Sequence, residues 1–130
     1  MLPVAENEIS RQIVDAAFRI HTSLGPGLLE SVYEAVMAPE LTRRGLYTER
    51  QQALPLVWEN IHLEAGFRVD LMVEKKVIVE IKSVEAIAPV HRKQLLTYLR
   101  LANKRLGILI NFNVDLTKDG IARVVNGLAE

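Results

Sequence analysis

No cysteine occurs in the chain, which excludes disulfides, thiolate metal sites and a cysteine nucleophile. Long hydrophobic runs are also missing: nothing approaches the roughly 20 apolar residues of a membrane span. The first ten residues, MLPVAENEIS, have neither the basic start nor the apolar stretch of a secretion signal, so a cytoplasmic protein with no membrane association is expected. Nor is there an excess of either charge. Sixteen basic and sixteen acidic residues cancel to zero, which argues against an obligate nucleic-acid coat. Repeats, low-complexity tracts and linkers are absent as well.

What is present suits one globular domain. A chain of 130 residues with 49% hydrophobic content supports a single core and offsets the entropy of ordering it. The charges are unevenly placed. From residue 86 to residue 114 there are five basic residues (Arg92, Lys93, Arg100, Lys104, Arg105) and no acid. The first forty residues hold six acids against Arg11 and Arg19. A local positive face on a neutral protein follows, although a solvated helix surface would give the same pattern.

Ile9, Ile13, Ala16, Ala17 and Ile20 recur at helical spacing and predict a helix over residues 6–22. Gly25-Pro26-Gly27 stops it. A second helix carries Leu29, Val32, Tyr33 and Val36 on one stripe, with Pro39 expected to kink or end it early. The period then becomes strand-like. Short strands are predicted over 47–54, 56–58 and 61–63, the last two joined by Glu59-Asn60, followed by stronger strands over 67–73 and 77–82. A helix over 90–102, a buried strand over 106–112 and a short strand over 121–125 complete a single α/β (α+β mixed-sheet) domain.

If Glu74-Lys75-Lys76 is a three-residue loop, Val73 faces Val77, Leu71 faces Val79, Val69 faces Ile81, and Asp70 faces Glu80. One face of the hairpin is then wholly apolar: Val69, Leu71, Val73, Val77, Val79 and Ile81. The other holds Arg68, Asp70, Met72, Ile78, Glu80 and Lys82. A one-residue slip would mix the two sets. The loop lacks the glycine usual in such turns. Opposed residues have Cβ atoms about 4.5–5.5 Å apart, so Asp70 against Glu80 costs stability unless a cation lies between them. A hard, oxygen-binding ion such as Mg²⁺ or Mn²⁺ suits two carboxylates beside Lys82. Gln94 and Tyr98 share a face of the following helix, and Glu30 and Tyr33 lie three apart just after the Gly-Pro-Gly turn. Each also has an ordinary explanation: a polar helix edge for the first pair, and a carboxylate at a helix start for Glu30.

Together these residues resemble the PD-(D/E)XK nuclease superfamily, and within it the GxxExxY family. Gly27-Leu28-Leu29-Glu30-Ser31-Val32-Tyr33 matches that motif letter for letter. Asp70 followed by Glu80-Ile81-Lys82 is similar to the Asp…Glu-x-Lys core, and His91, Gln94 and Tyr98 resemble its Q-x-x-x-Y helix. Pro39 and Trp58 depart from the family pattern without touching the acid–lysine core. The resemblance implies a restriction-endonuclease-like αβββαβ core with an extra N-terminal helix. It further implies that Asp70, Glu80 and the Ile81 carbonyl hold Mg²⁺ (or Mn²⁺), with Glu30 at a second ion or in its water shell, and that Lys82 orients water or stabilises developing charge. Gln94, Tyr98, Tyr33, His91, Arg92 and Lys93 would bind substrate. The implied reaction is phosphodiester hydrolysis in DNA, with RNA the lesser expectation, in a homodimer or with a protein partner. The alternative is a catalytically silent nuclease-fold module that binds nucleic acid or protein. A glycosidase built on Asp70 and Glu80 leaves Lys82 and the Gln94–Tyr98 helix unexplained.

Overall fold

The computed structural model describes residues 2–116 and 119–128. Two helices come first, α1 (Leu2–Leu24) and α2 (Glu30–Arg43). Three strands follow, β1 (Thr48–Trp58), β2 (Ile61–Val73) and β3 (Val77–Lys82), then α3 (Pro89–Ala102), β4 (Leu106–Asn111) and β5 (Ile121–Val125). The sheet runs β1-β2-β3-β4-β5. All neighbours are antiparallel except β3 and β4, which are parallel and joined through α3. This is the αβββαβ order preceded by one extra helix, α1, and followed by one extra strand, β5.

Each helix packs by the stripe its sequence shows. Ile9, Ile13, Ala16, Ala17 and Ile20 of α1 join Met37 and Leu41 of α2 against Leu71, Val73, Val77, Val79 and Ile81. On the other side of the sheet, Leu95 and Leu99 of α3 meet Val69, Met72, Ile78 and Leu109. β4 is buried along its whole length, as a central strand covered on both faces must be. Pro39 does not end α2, which continues to Arg43. The last turn is tied down by Leu41, fully buried, and by Glu40, which receives Arg43 and Arg44. Burying a leucine contributes about 1.5–3 kcal/mol, comparable to the roughly 3 kcal/mol that an interior proline costs.

The short strands predicted over 47–58 are one continuous strand, and the segment over 61–63 runs on into β2. The two form a long hairpin closed at Glu59-Asn60, with Trp58 opposite Ile61. The register shifts between Leu54 and Leu56, where β2 bulges. A Cβ on Gly66 would collide with the Leu56 Cβ, so only glycine fits there. The β2–β3 hairpin has the predicted register at Leu71–Val79, Met72–Ile78 and Val73–Val77. It turns without glycine because Glu74 and Lys75 both take positive φ, 55° and 54°. Such conformers cost roughly 1 kcal/mol each or more. They are offset by Tyr47, whose carbonyl receives the Glu74 N–H at 2.7 Å and whose N–H donates to the Glu74 carboxylate at 2.6 Å.

Candidate active site

The sheet opens at Asp70, and the Glu80, Glu34 and Gln51 side chains gather at that opening. On the β3 side the regular pairing ends at Leu71–Val79. Beyond it, carboxylates take over from backbone carbonyls: the Asp70 N–H donates to Glu80 Oε2 at 2.8 Å, and the Ile81 N–H donates to Asp70 Oδ2 at 2.8 Å. On the β1 side, Gln51 should pair with Asp70 but instead adopts φ +49°, and the ladder skips both residues. The kink has a packing consequence. Alternation predicts Val69 on the Leu71 face; it packs instead with Met72 and Ile78 on the α3 side, because the β2 backbone turns over at Asp70. The Phe112 N–H donates to the Lys82 carbonyl at 3.0 Å, so Lys82 directs its backbone to β4. By strand alternation the Ile81 carbonyl faces the gap beside Asp70.

A buried acid, Glu80, beside a half-buried one, Asp70, is electrostatically expensive. Burial raises the Glu80 carboxyl from its ordinary 4.5 to about 8, with the charge of Asp70 adding to the effect and Lys82 opposing it. Asp70 is raised too, first by burial and then by Glu34, while the Ile81 N–H pulls the other way. Tyr98 is raised by burial and then by Glu80 and Asp70, which places its phenol within the field of the acid pair. Its ring stacks on Phe67 at 5.0 Å.

Glu34 is a site residue that sequence reasoning missed. It is buried, only 5% exposed, and its carboxylate receives Gln51 Nε2 at 2.5 Å and Arg50 at 3.1 Å. Gln51 Nε2 also lies 3.4 Å from Asp70 Oδ1, so one amide links the helix acid to the strand acid. Glu30 stands nearer the rim, where its carboxylate accepts the Ser83 N–H at 3.2 Å. A cavity of about 660 Å³ connects these groups, lined by Gly27, Glu30, Glu34, Gln51, Asp70 and Ser83 among others.

Two of the other expected substrate contacts, Tyr33 and His91, make structural hydrogen bonds. Tyr33 is fully buried, stacked on Phe112 at 4.3 Å, and its hydroxyl donates to Gly25 O and accepts from Leu28 N. Tyr33, expected at the substrate, latches the Gly-Pro-Gly turn with its hydroxyl, and Gly25 and Gly27 of that turn take φ +75° and +98°. His91 Nδ1 accepts the Ala88 N–H at 3.0 Å and caps α3. Arg92 lines a separate cavity with Glu85, Asp115 and Asp119. Gln94 and Lys93 are exposed on α3. Asn111, fully buried, receives the N–H groups of Val84 and Asn113 and donates to Val84 O, which fixes the segment leaving Lys82.

Among the described residues no three acidic or imidazole groups form a ready-made metal cage. The donor chemistry fits a hard cation nonetheless. Two carboxylates whose ionised forms are disfavoured, beside an inward-facing carbonyl, match Mg²⁺, which takes one or two carboxylates and keeps several waters.

Residues 7–124 match the family model of the PD-(D/E)XK nuclease superfamily. The solved structure of SSO0001 has a similar fold, with a TM-score of 0.56 at 20% identity over 77% of this chain. This chain spans about half, 52%, of that one. No curated protein matches the sequence.

Proposed function

The chain belongs to the PD-(D/E)XK nuclease superfamily, and on that footing we propose that it is a Mg²⁺-dependent nuclease of the GxxExxY group acting on DNA phosphodiester bonds. The observation that carries this is the pair of hydrogen bonds crossing the break in the sheet, from the Asp70 N–H to the Glu80 carboxylate and from the Ile81 N–H to the Asp70 carboxylate. It fixes both carboxylates where their charges repel and where a cation relieves the repulsion. Mg²⁺ (or Mn²⁺) bound there by Asp70, Glu80 and the Ile81 carbonyl would polarise the scissile phosphate and lower the pKa of a water.

The chain's own residues supply the rest. Lys82 follows Glu80 by two positions on β3, so its side chain leaves the same face of the strand. There its ammonium stabilises charge developing on the phosphate oxygens. Glu34, held by Gln51 and Arg50, keeps Asp70 oriented and adds negative charge that favours a cation. Glu30 at the cavity rim, with Gln94, Tyr98 and Lys93 on α3, positions the substrate backbone. His91 and Arg92 serve through the start of α3. The same chemistry would cleave RNA. The proposed setting is the cytoplasm, with the enzyme acting alone or as a homodimer. Among the described residues no helix is long and apolar enough to cross a membrane.

The test is incubation of pure protein with single-stranded, linear and supercoiled DNA, with Mg²⁺, Mn²⁺ or chelator. Cleavage that needs the ion and is lost in Lys82→Ala is expected. Ion-dependent thermal stabilisation without turnover would point instead to a silent nuclease-fold binding module.

A further inference from the structure

The cavity beside Asp70 has a wall that neither the acid pair nor Lys82 uses. Its volume, about 660 Å³, is typical of small-molecule sites. Leu28 and Leu29 form its apolar side, Leu29 73% exposed and Leu28 39%. Their backbone is fixed. The Leu28 carbonyl accepts Ser83 Oγ at 2.8 Å, the Leu28 N–H donates to the Tyr33 hydroxyl at 3.1 Å, and the Leu29 carbonyl accepts the Val32 N–H at 3.0 Å. Because Ser83 follows Lys82, these bonds tie the leucine pair to the end of β3, next to the charge-stabilising lysine. Two adjacent leucines there are contact surface for whatever lies beside the acid pair.

The rest of the lining decides what that is. Among the described residues no lysine, arginine or histidine lines the cavity, so a phosphate finds no partner inside it. Glu34 and Asp70 would repel one. A further cation is not called for either. Glu34 is already paired with Arg50 at 3.1 Å, Glu30 accepts the Ser83 N–H at 3.2 Å, and leucine side chains offer an ion no oxygen. Apolar surface with a few polar groups, here Ser31, Asn113 and the acids, suits a flat ring that carries N–H donors on its edge.

We infer that this cavity takes an unpaired nucleobase of the substrate strand, its ring against Leu28 and Leu29 and its amino edge toward the acids. The inference rests on the nuclease reading, which sets the neighbouring phosphate at Lys82. A paired base cannot enter. It must first leave the stack, which costs least in single-stranded or mismatched DNA. The protein therefore cuts beside unpaired bases and spares continuous duplex.

The probe is 2-aminopurine, a fluorescent adenine isomer that is dim within a base stack and bright outside it. It is placed in a short DNA strand, used single, as a one-base bulge in a duplex, or fully paired. The Lys82→Ala chain with Mg²⁺ supplies binding without turnover. Saturable brightening of the bulge and the single strand is expected, with at least tenfold weaker binding of the continuous duplex. Leu29→Ala in that background should weaken bulge binding by about 5- to 50-fold, the range for losing up to three apolar carbons from the contact, and Leu29→Phe should restore it. Leu29 is exposed, so both variants should melt with their parent. With Lys82 intact and Mg²⁺ present, cleavage should fall next to the bulge. Bulge and duplex bound alike, binding without brightening, or unchanged affinity in Leu29→Ala overturns the inference, and Mg²⁺-dependent cleavage in any of these cases leaves the nuclease reading standing. Two Mg²⁺ bound per chain without DNA, one of them lost in Glu34→Gln, also overturns it by making an ion the occupant. Brightening that needs Leu29, without cleavage by the wild-type chain, sustains it and counts against the nuclease reading.

Discussion

Replacing Glu80 with glutamine should stabilise the ion-free protein while abolishing its activity, and the gain should depend on pH. The Glu80 carboxyl is raised from 4.5 to about 8, chiefly by burial and then by Asp70. Between those values the folded chain keeps a proton that the unfolded chain gives up. Stability contributed by this group is therefore full below about pH 4.5 and falls as pH rises toward 8. A shift from 4.5 to 8, at 1.36 kcal/mol per unit, corresponds to a loss on the order of 3–5 kcal/mol once Glu80 is ionised. Glutamine keeps an oxygen that can accept the Asp70 N–H and carries no charge. For a chain of this length 1 kcal/mol moves Tm by about 4 °C, so Glu80→Gln should melt at least about 10 °C above wild type at pH 8.5 in chelator. At pH 4.5 the two should melt within a few degrees of each other. Circular-dichroism melts across that range measure it. Asp70, also raised, leaves a residual slope of the same sign in the variant. Parallel melting curves for the two proteins over the whole pH range would refute the assignment of the strained charge to Glu80.

Three further outcomes follow from the same geometry. Lys82→Ala should lower turnover by about 10²- to 10³-fold, as removal of a charge-stabilising group does, while leaving ion-dependent stabilisation in place by thermal shift. Tyr33→Phe removes the hydroxyl that holds Gly25 O and Leu28 N, and should cost about 1–3 kcal/mol in urea unfolding. Gln51→Gly relieves a left-handed residue, worth about 1–2 kcal/mol, but takes away the amide that meets buried Glu34; because hydrogen bonds to charged groups contribute about 1.5–3 kcal/mol, urea unfolding should show little change or a net loss, not a gain.

Much of this architecture is legible in the sequence, because two periodicities carry it. The β2–β3 register follows from alternation: a slip by one residue would bury Glu80 and Lys82 among Leu71 and Val79. The α1 stripe follows from Ile9, Ile13, Ala16, Ala17 and Ile20. The acid pair is visible for the same reason, as two charges at matched positions on facing strands.

What alternation hides is its own failure. Val69 changes sides because the backbone breaks at Asp70, and nothing in the string marks that break. Gln51 is equally opaque, since a left-handed glutamine has no sequence signature. Glu34 is different. It lies four residues after Glu30 and directly after Tyr33, so helical spacing places the two acids on neighbouring turns. A charge in an amphipathic helix is ordinarily solvated, and only the fold shows that Arg50 and Gln51 cover this one. Tyr33 is marked by the motif spacing, but only the fold shows its hydroxyl bound to Gly25 O and the Leu28 N–H.

The claim on which everything rests is that Asp70 and Glu80 together hold a divalent cation. Calorimetric titration of Mg²⁺ or Mn²⁺ into the chain at pH 6.5, repeated in buffers of different ionisation enthalpy, measures both binding and proton release. Binding at one principal site with release of close to one proton, lost in Glu80→Gln, is the predicted result, because Glu80 is protonated at that pH and must ionise to bind. Binding that releases no proton, or that persists unchanged in Glu80→Gln, would contradict it.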